Sequence, residues 1–277
     1  MAKTILVTAA TGTVGQQLVP RLLAQGHRVK AASRSASGGE DNSVLLDFAR
    51  PETFEGALAG VDAAYFVIPS GTADPLALAG FIDAAAAAGV KLVMQSAMGV
   101  DASEDTPFRK LERLIEKSGT PYVLLRPNWF FDNFHTYWFR GILDHGLIAL
   151  PVGDARTSLI DVRDVADAAV AALTTADFDG QALTLTGSES LSYGEAAEAL
   201  SNVLGRTIRY EAVDTEGFVA YAAKTGFSSG QAQMFASILY PVAQGWQSAD
   251  TGEVARLTGR QPRRLVDYVA DNAPRFR

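Results

Sequence analysis

The sequence predicts an α/β fold, a Rossmann-type doubly wound parallel sheet followed by a smaller, mostly helical C-terminal lobe. Three observations carry this. Short β-rich runs alternate with helical stretches through the first half of the chain, the pattern of βαβ units and a parallel sheet. A glycine-containing turn comes directly after the first such run and opens the first helix. After Arg126-Pro127 the alternation gives way to an aromatic cluster, and the remainder of the chain is mainly of helical period.

The expected strands are Ile5 to Thr8, Val29 to Ser33, Val44 to Leu46, Ala63 to Ile68, Leu92 to Gln95 and Tyr122 to Leu125. Between the first two, Val14, Leu18 and Leu22 recur at i, i+4 and i+8 and mark an amphipathic helix. Pro20 lies inside it and removes one backbone hydrogen bond, so a bend is expected there. The alanine-rich run from Leu76 to Ala88 suits a helix packed closely on a sheet. A core over residues 1–127 and a lobe over 128–277 are expected, with some later segments returning to the core. In the lobe, Asp161 to Leu173 reads as a helix, Leu183 to Leu185 as a strand, and Tyr193 to Leu204 as a helix closed by Gly205. Two more helices should come after these, and in the second Met234, Phe235, Ile238, Leu239 and Val242 form one apolar stripe.

The 277 residues carry 24 basic and 31 acidic side chains, a formal charge of −7. With no dense basic run, nucleic acid and anionic membrane are excluded as primary partners, since both are held by clustered Lys and Arg. Cysteine is absent, which excludes disulfides, thiolate catalysis and Cys-ligated zinc. A reducing cytoplasm fits, and a cytoplasmic protein is expected. The opening MAKTILVTAATG lacks the apolar core of a secretory signal. The uncharged stretch from Thr225 to Ala249 holds too much Gln, Ser, Gly and Pro to span a membrane. A small hydrophobic or aromatic substrate is the expected partner of a monomer or homodimer.

The turn reads Thr8-Ala9-Ala10-Thr11-Gly12-Thr13-Val14-Gly15. Small side chains let a backbone approach a pyrophosphate, and a helix start supplies free N–H groups to it. A strand-to-helix turn without a ligand is the bland alternative. TAATGTVG resembles the VTGATGxxG start of the NmrA-like group of atypical short-chain dehydrogenases. Leu45-Leu46-Asp47-Phe48, Gly60-Val61-Asp62, Ala88-Gly89-Val90, Leu125-Arg126-Pro127, Ile160 to Ala166, Leu185-Thr186-Gly187 and Leu257 to Arg260 stand in that group's order. The resemblance spans nearly the whole chain and is strongest to triphenylmethane-reductase-like and ergot-alkaloid iminium-reductase-like members. Ala9 replaces the first glycine of the motif, which a backbone at negative φ would accommodate.

Binding of NAD(P) is expected through Thr8, Ala10, Thr11, Gly12, Thr13, Val14 and Gly15. At the end of the second strand, Ser33-Arg34-Ser35 stands where a carboxylate would select NAD, so NADPH is expected over NADH, with Arg34 as a solvated surface residue the alternative. Asp47 and Phe48 resemble the family's adenine-contacting pair, although Asp47 also suits a turn cap before Pro51. Ligands of such folds bind at the C-terminal edge of the sheet. Ile68, Pro69, Ser96, Pro127, Asn128 and Trp129 are therefore further expected contacts. Ser96 matches the short-chain dehydrogenase serine by position; capping the strand end is its alternative role.

No YxxxK pair occurs. By register with Ser118-Gly119-Thr120-Pro121-Tyr122, the tyrosine position falls on Phe108 and the lysine position on Glu112. Isoflavone-reductase-like relatives carry a lysine at the position of Phe108, whereas Lys110 is rotated about 200° away on a helix. No catalytic residue is assigned. Ketone reduction needs a partner for developing alkoxide charge, whereas an iminium or cationic dye loses charge as hydride arrives. Reduction of a conjugated electrophile by orientation is thus expected, with a dinucleotide-sensing regulator as the rival. Met98, Phe108, Trp129, Phe131, Phe134, Met234, Phe235 and Ile238 are the expected substrate lining, the last helix acting as a lid or belonging to the core or a dimer contact. His27, His135 and His145 are expected at surface or capping positions with no metal site, and Asp161 and Asp164 as structural helix-start carboxylates.

Overall fold

A computed structural model describes residues 1–34, 42–69, 72 and 74–276. In chain order the elements are β1 Thr4–Val7, α1 Gly15–Ala24, β2 Arg28–Ser33, β3 Ser43–Leu45, α2 Phe54–Leu58, β4 Ala63–Val67, α3 Ala79–Ala87, β5 Lys91–Gln95, α4 Pro107–Lys117 and β6 Tyr122–Pro127. They continue as α5 Phe139–His145, β7 Leu147–Leu150, β8 Arg156–Thr157, α6 Val162–Thr174, β9 Gln181–Leu185, β10 Leu191–Ser192 and α7 Tyr193–Leu204. β11 Arg209–Ala212, α8 Thr215–Lys224, α9 Ser229–Ala243, α10 Glu253–Thr258 and α11 Leu265–Asp271 complete the chain. Two compact units result: Met1–Pro127 with Val162–Leu185 and Glu253–Arg260, and Asn128–Asp161 with Thr186–Gly252 and Gln261–Arg277.

The first unit is a seven-stranded parallel sheet in the order β3-β2-β1-β4-β5-β6-β9. The chain starts mid-sheet at β1, runs outward to β3 and returns to β4, which makes the β1/β4 boundary the topological switch point where such sheets bind ligands. Both faces are covered, so the strands read as continuous apolar runs. Leu6, Phe66, Leu92, Met94 and Leu124 meet Phe54, Phe81 and Leu111 from α2, α3 and α4. The intervening Ile5, Val7, Val93, Val123 and Leu125 point to the opposite face and are equally buried, with α6 on that side of the sheet. Pro20 sits within α1, which continues as one helix to Ala24.

The second unit has one apolar interior that includes Phe131, Phe134, Trp138, Ile148, Tyr193 and Phe235. Two short strand pairs frame it, β7 parallel with β11 and β8 antiparallel with β10. α7 starts with a capping box of Ser192 and Glu195 and stops at Gly205, whose φ of +67° suits glycine. Four helices come after α7 where the sequence indicates two, because α10 and α11, at 6 and 7 residues, are too short to show a period. The apolar stripe of α9 is also divided: Phe235, Leu239 and Val242 enter the interior, whereas Met234 and Ile238 are exposed. No helix among the described residues is long and apolar enough to cross a membrane.

Candidate functional site

The turn between β1 and α1 lies at the C-terminal end of β1, beside the switch point. Thr8, expected to meet a cofactor, is buried and stitches strands instead: its N–H donates to the Tyr65 carbonyl at 3.0 Å and its Oγ1 accepts the Val67 N–H at 3.3 Å. A Cβ on Gly15 would stand 2.2 Å from the Ala9 carbonyl oxygen, and one on Gly12 3.0 Å from it. Both glycines therefore let α1 seat against the turn. Ala9 has φ +49°, the one positive value among the described non-glycine residues, which overturns the expectation of negative φ. Its carbonyl must accept the Gly12 N–H at 2.8 Å, and that geometry holds an L-residue in a conformation costing about 1–2 kcal/mol.

The start of α1 has no side-chain cap and no acid in its first turn. By contrast, α4, α7, α8 and α9 are capped by Thr106, Ser192, Asp214 and Ser228. Uncapped N–H groups and the helix dipole favour an anion there, reached past Ala10, Thr11, Gly12 and Thr13, none of them buried. Val14 is buried against the core.

Around this turn stand the ends of the neighbouring strands. Arg34 is exposed just beyond β2 and next to Ser33, while Ser35 lies outside the described residues. The Asp47 carboxylate caps its own turn, accepting the Ala49 N–H at 3.0 Å and the Arg50 Nε–H at 3.3 Å. Phe48 packs edge-on against Phe81, ring centroids 5.2 Å apart. Ile68 and Pro69 are half-buried after β4. Ser96, after β5, is only 4% exposed, and its Oγ has no partner among the described residues. An unpaired buried hydroxyl costs about 1–3 kcal/mol, so the position calls for a polar ligand atom or water. Met98 is half-buried, and its N–H donates to the carbonyl of buried Pro127 at 3.0 Å, tying the ends of β5 and β6. An open helix start, a basic side chain past β2 and an orphan hydroxyl past β5 together fit a dinucleotide.

Phe108 packs partly buried against the α2/α3/α4 side of the core, and Lys110 points outward, 3.8 Å from Asp105. Glu112, at the lysine position, is wholly buried and clamped by two guanidiniums. Arg126 donates through Nε and Nη2 to its two oxygens at 2.9 and 2.7 Å, and Arg109 Nη1 donates at 2.8 Å. Arg126 also bonds Asp101 at 2.6 Å, and Arg109 reaches Glu104 and Glu116. Burial opposes the charge of Arg109, yet its hydrogen bonds to Glu112, Glu116 and Glu104 outweigh it and raise its pKa. This network joins α4 to β6, and it leaves no phenol or ammonium where a proton donor would stand.

In the second unit several expected contacts are committed to structure. Asn128 is buried, its Nδ2 donating to the Ser158 and Gln247 carbonyls at 3.0 Å each and its Oδ1 accepting the Trp129 N–H at 2.8 Å. Its amide therefore clamps three chain segments, with both of its donors already used. Trp129 is half-buried and stacks on Trp138. Phe131 and Phe134, expected to line a pocket, are interior side chains at 1% and 0% exposure and offer a ligand no surface. Phe235 is likewise interior, whereas Met234 and Ile238 face outward, so the three do not share one wall. A small apolar cavity of about 20 Å³ lies among Tyr137, Trp138, Phe218, Tyr221 and Phe235, room for about one water.

His135 also departs from expectation, being enclosed rather than at the surface. Its Nε2 meets Arg275 Nη1 at 3.0 Å and its Nδ1 meets the Tyr268 hydroxyl at 2.6 Å. A guanidinium only donates, so Nε2 accepts and the ring proton sits on Nδ1, donating to the Tyr268 oxygen. The Tyr268 hydroxyl proton then serves the Asp132 carboxylate. Burial and the nearby charge of Asp161 push Asp132 up to about 6, while burial and the Arg275 charge push His135 down to about 4. Partners 133 and 140 residues apart left no local pattern to find this chain of bonds.

The chain matches the profile of the NAD(P)H-binding family over residues 9–176. It is 34% identical to the (4-alkanoyl-5-oxo-2,5-dihydrofuran-3-yl)methyl phosphate reductase of Streptomyces griseus subsp. griseus, covering 98% of this chain and 99% of the relative. To the NAD(P)H azoreductase of Xenophilus azovorans it is 31% identical, covering 98% and 99%. In fold it resembles an NADPH-dependent quinone oxidoreductase of Escherichia coli, with TM-score 0.86, 23% identity and coverage of 96% and 99%. The open helix start at the switch point and the full-length likeness to reductases agree, and the chain belongs to the NAD(P)H-binding family as an NAD(P)H-dependent oxidoreductase.

Proposed function

We propose that this protein is an NADPH-dependent reductase of conjugated electrophiles of the quinone, iminium or cationic dye type. The observation that carries the reading is Glu112: a buried carboxylate locked between Arg109 and Arg126 stands where a ketone reductase keeps its lysine, and Phe108 stands in for the tyrosine. Bound NADPH supplies the hydride. The N–H groups at the start of α1 hold the pyrophosphate, and Arg34 takes the 2′-phosphate by charge and paired donors. The Ser96 hydroxyl holds a polar atom of the bound pair, and Met98, two residues on, offers apolar surface to the acceptor. An electron-poor acceptor needs little protonation as hydride arrives, so orientation supplies much of the rate. The azo, quinone and alkanoyl-oxo-dihydrofuran names of the similar reductases support this class.

NADPH oxidation measured over a quinone, a cyclic iminium, a cationic triarylmethane dye and an unactivated ketone tests the reading. Turnover of the first three without the ketone is expected. Comparable ketone turnover would overturn it, and tight NADPH binding without turnover of any acceptor would mark a dinucleotide sensor. For the cofactor, calorimetry should show NADPH bound more tightly than NADH. Arg34→Ala should weaken NADPH alone by roughly 1.5–3 kcal/mol, the worth of a charged hydrogen bond; equal affinities in the wild type would remove the case for NADPH.

A further inference from the structure

Helix α9 has no charged side. Ala232, Phe235, Leu239 and Val242 enter the interior of the second unit. On the opposite side Met234, Ile238 and Tyr240 are 50%, 43% and 56% exposed. Ser237 lies among them, its hydroxyl turned back onto the Met234 carbonyl at 2.7 Å. Trp246, 62% exposed, stands edge-on to Tyr240 with centroids 5.9 Å apart, and the half-exposed Tyr137 packs on Phe235. A surface helix ordinarily sets a charged face opposite its apolar one, whereas the outer face of α9 mixes these apolar side chains with exposed, uncharged Gln233, Ser237 and Gln244. From Thr225 to Ala249 there is no Asp, Glu, Lys or Arg at all.

We infer that this face is the contact between two copies of the chain, α9 against α9 about a two-fold axis. The five exposed side chains leave on the order of 500 Å² uncovered, at the upper end for a soluble monomer and more than half of what each partner gives a standard interface. Charge selects the occupant. Each copy carries −7, so two copies meet with least repulsion across a surface without charge, and this is such a surface. Anionic lipid finds no Lys or Arg on it. A two-fold contact requires one patch to fit itself; Met234 and Ile238 stand toward one margin of this face and Tyr240 with Trp246 toward the other, and Met and aromatic side chains are those that interface cores favour.

Sedimentation of the full chain at micromolar concentrations should give twice the 29.4 kDa chain mass, and the double variant Met234→Lys, Ile238→Lys should run as a monomer. Both positions are on the surface, so the circular dichroism spectrum should match the wild type and a cooperative melt should persist, which separates loss of contact from loss of fold. The absence of cysteine gives a second readout. Ser237→Cys should form a disulfide-linked dimer on oxidation in dilute solution, whereas Ser103→Cys, on an exposed turn of the first unit, should not. A wild-type monomer at every concentration overturns the proposal, as does a dimer indifferent to both lysines. A monomer that floats with phosphatidylcholine vesicles overturns it too and assigns the face to a bilayer.

Discussion

At Ala9 the turn dictates the backbone and the side chain bears the cost. The carbonyl must meet the Gly12 N–H, and the Gly15 Cα must pass beneath it, so φ stays at +49° whatever residue is present. Glycine adopts this conformation freely but loses more entropy on folding. Ala9→Gly should therefore raise the unfolding free energy by only about 0.5–1 kcal/mol, read as a higher urea midpoint at unchanged m. Destabilisation would show that the strain is relieved elsewhere. Phe108 offers a second test at one residue. It is a packing side chain, and restoring a phenol there does not restore the ammonium that would activate it. Phe108→Tyr should leave quinone or dye reduction within about tenfold, ~1.4 kcal/mol in the barrier; complete loss in a folded variant that still binds NADPH would place Phe108 in the reaction.

Two elements depend on buried charge. α4 is tied to β6 through Glu112, and removing its charge strands Arg126 and Arg109 in a poorly solvated place. Glu112→Gln should cost about 3–5 kcal/mol in urea unfolding, whereas Glu104→Gln, on the exposed rim of the same network, should change little. The turn at 131–135 is tied to α11 and to the last turn of the chain through Asp132, His135, Tyr268 and Arg275. Asp132 is raised from 3.8 to about 6, so its contribution to stability is full below 3.8 and is lost as pH rises through 6. His135 is lowered from 6.5 to about 4, so its contribution is full above 6.5 and is lost as pH falls through 4. Between these limits the two slopes oppose each other. Urea unfolding at about pH 6.5 and 4.5 should find Asp132→Asn losing stability on acidification and His135→Gln gaining it. Variants that shift in the same direction would exclude the pair as the source.

Over the whole molecule, the legibility of a feature in the sequence tracks the reach of the interaction. The six strands of the first half and the glycine turn carry their signal in a few adjacent residues, and each is present within one or two residues of its expected bounds. Glu112 was legible as a missing lysine but not as a clamp, because Arg126 is 14 residues away on another element. The four strands of the small sheets are two or four residues long, too short to alternate visibly. On α9, spacing gathered Met234 and Phe235 into one stripe, and only the packing of the unit separates them. The first unit is assembled from three stretches of chain, and α6 and β9 arrive after residue 161. A fragment ending at residue 127 should therefore leave Val7, Val93, Val123 and Leu125 without cover and be insoluble; a monomeric, cooperatively melting fragment would show that the missing stretches are dispensable. The same interleaving governs how new specificities can be acquired. The cofactor unit leaves and re-enters the chain twice, so a single recombination point after β6 would hand a relative's α6, β9 and α10 to this sheet along with the lobe. Exchange of the lobe alone takes three inserts made together, and divergence by point substitution within the lobe is the shorter route.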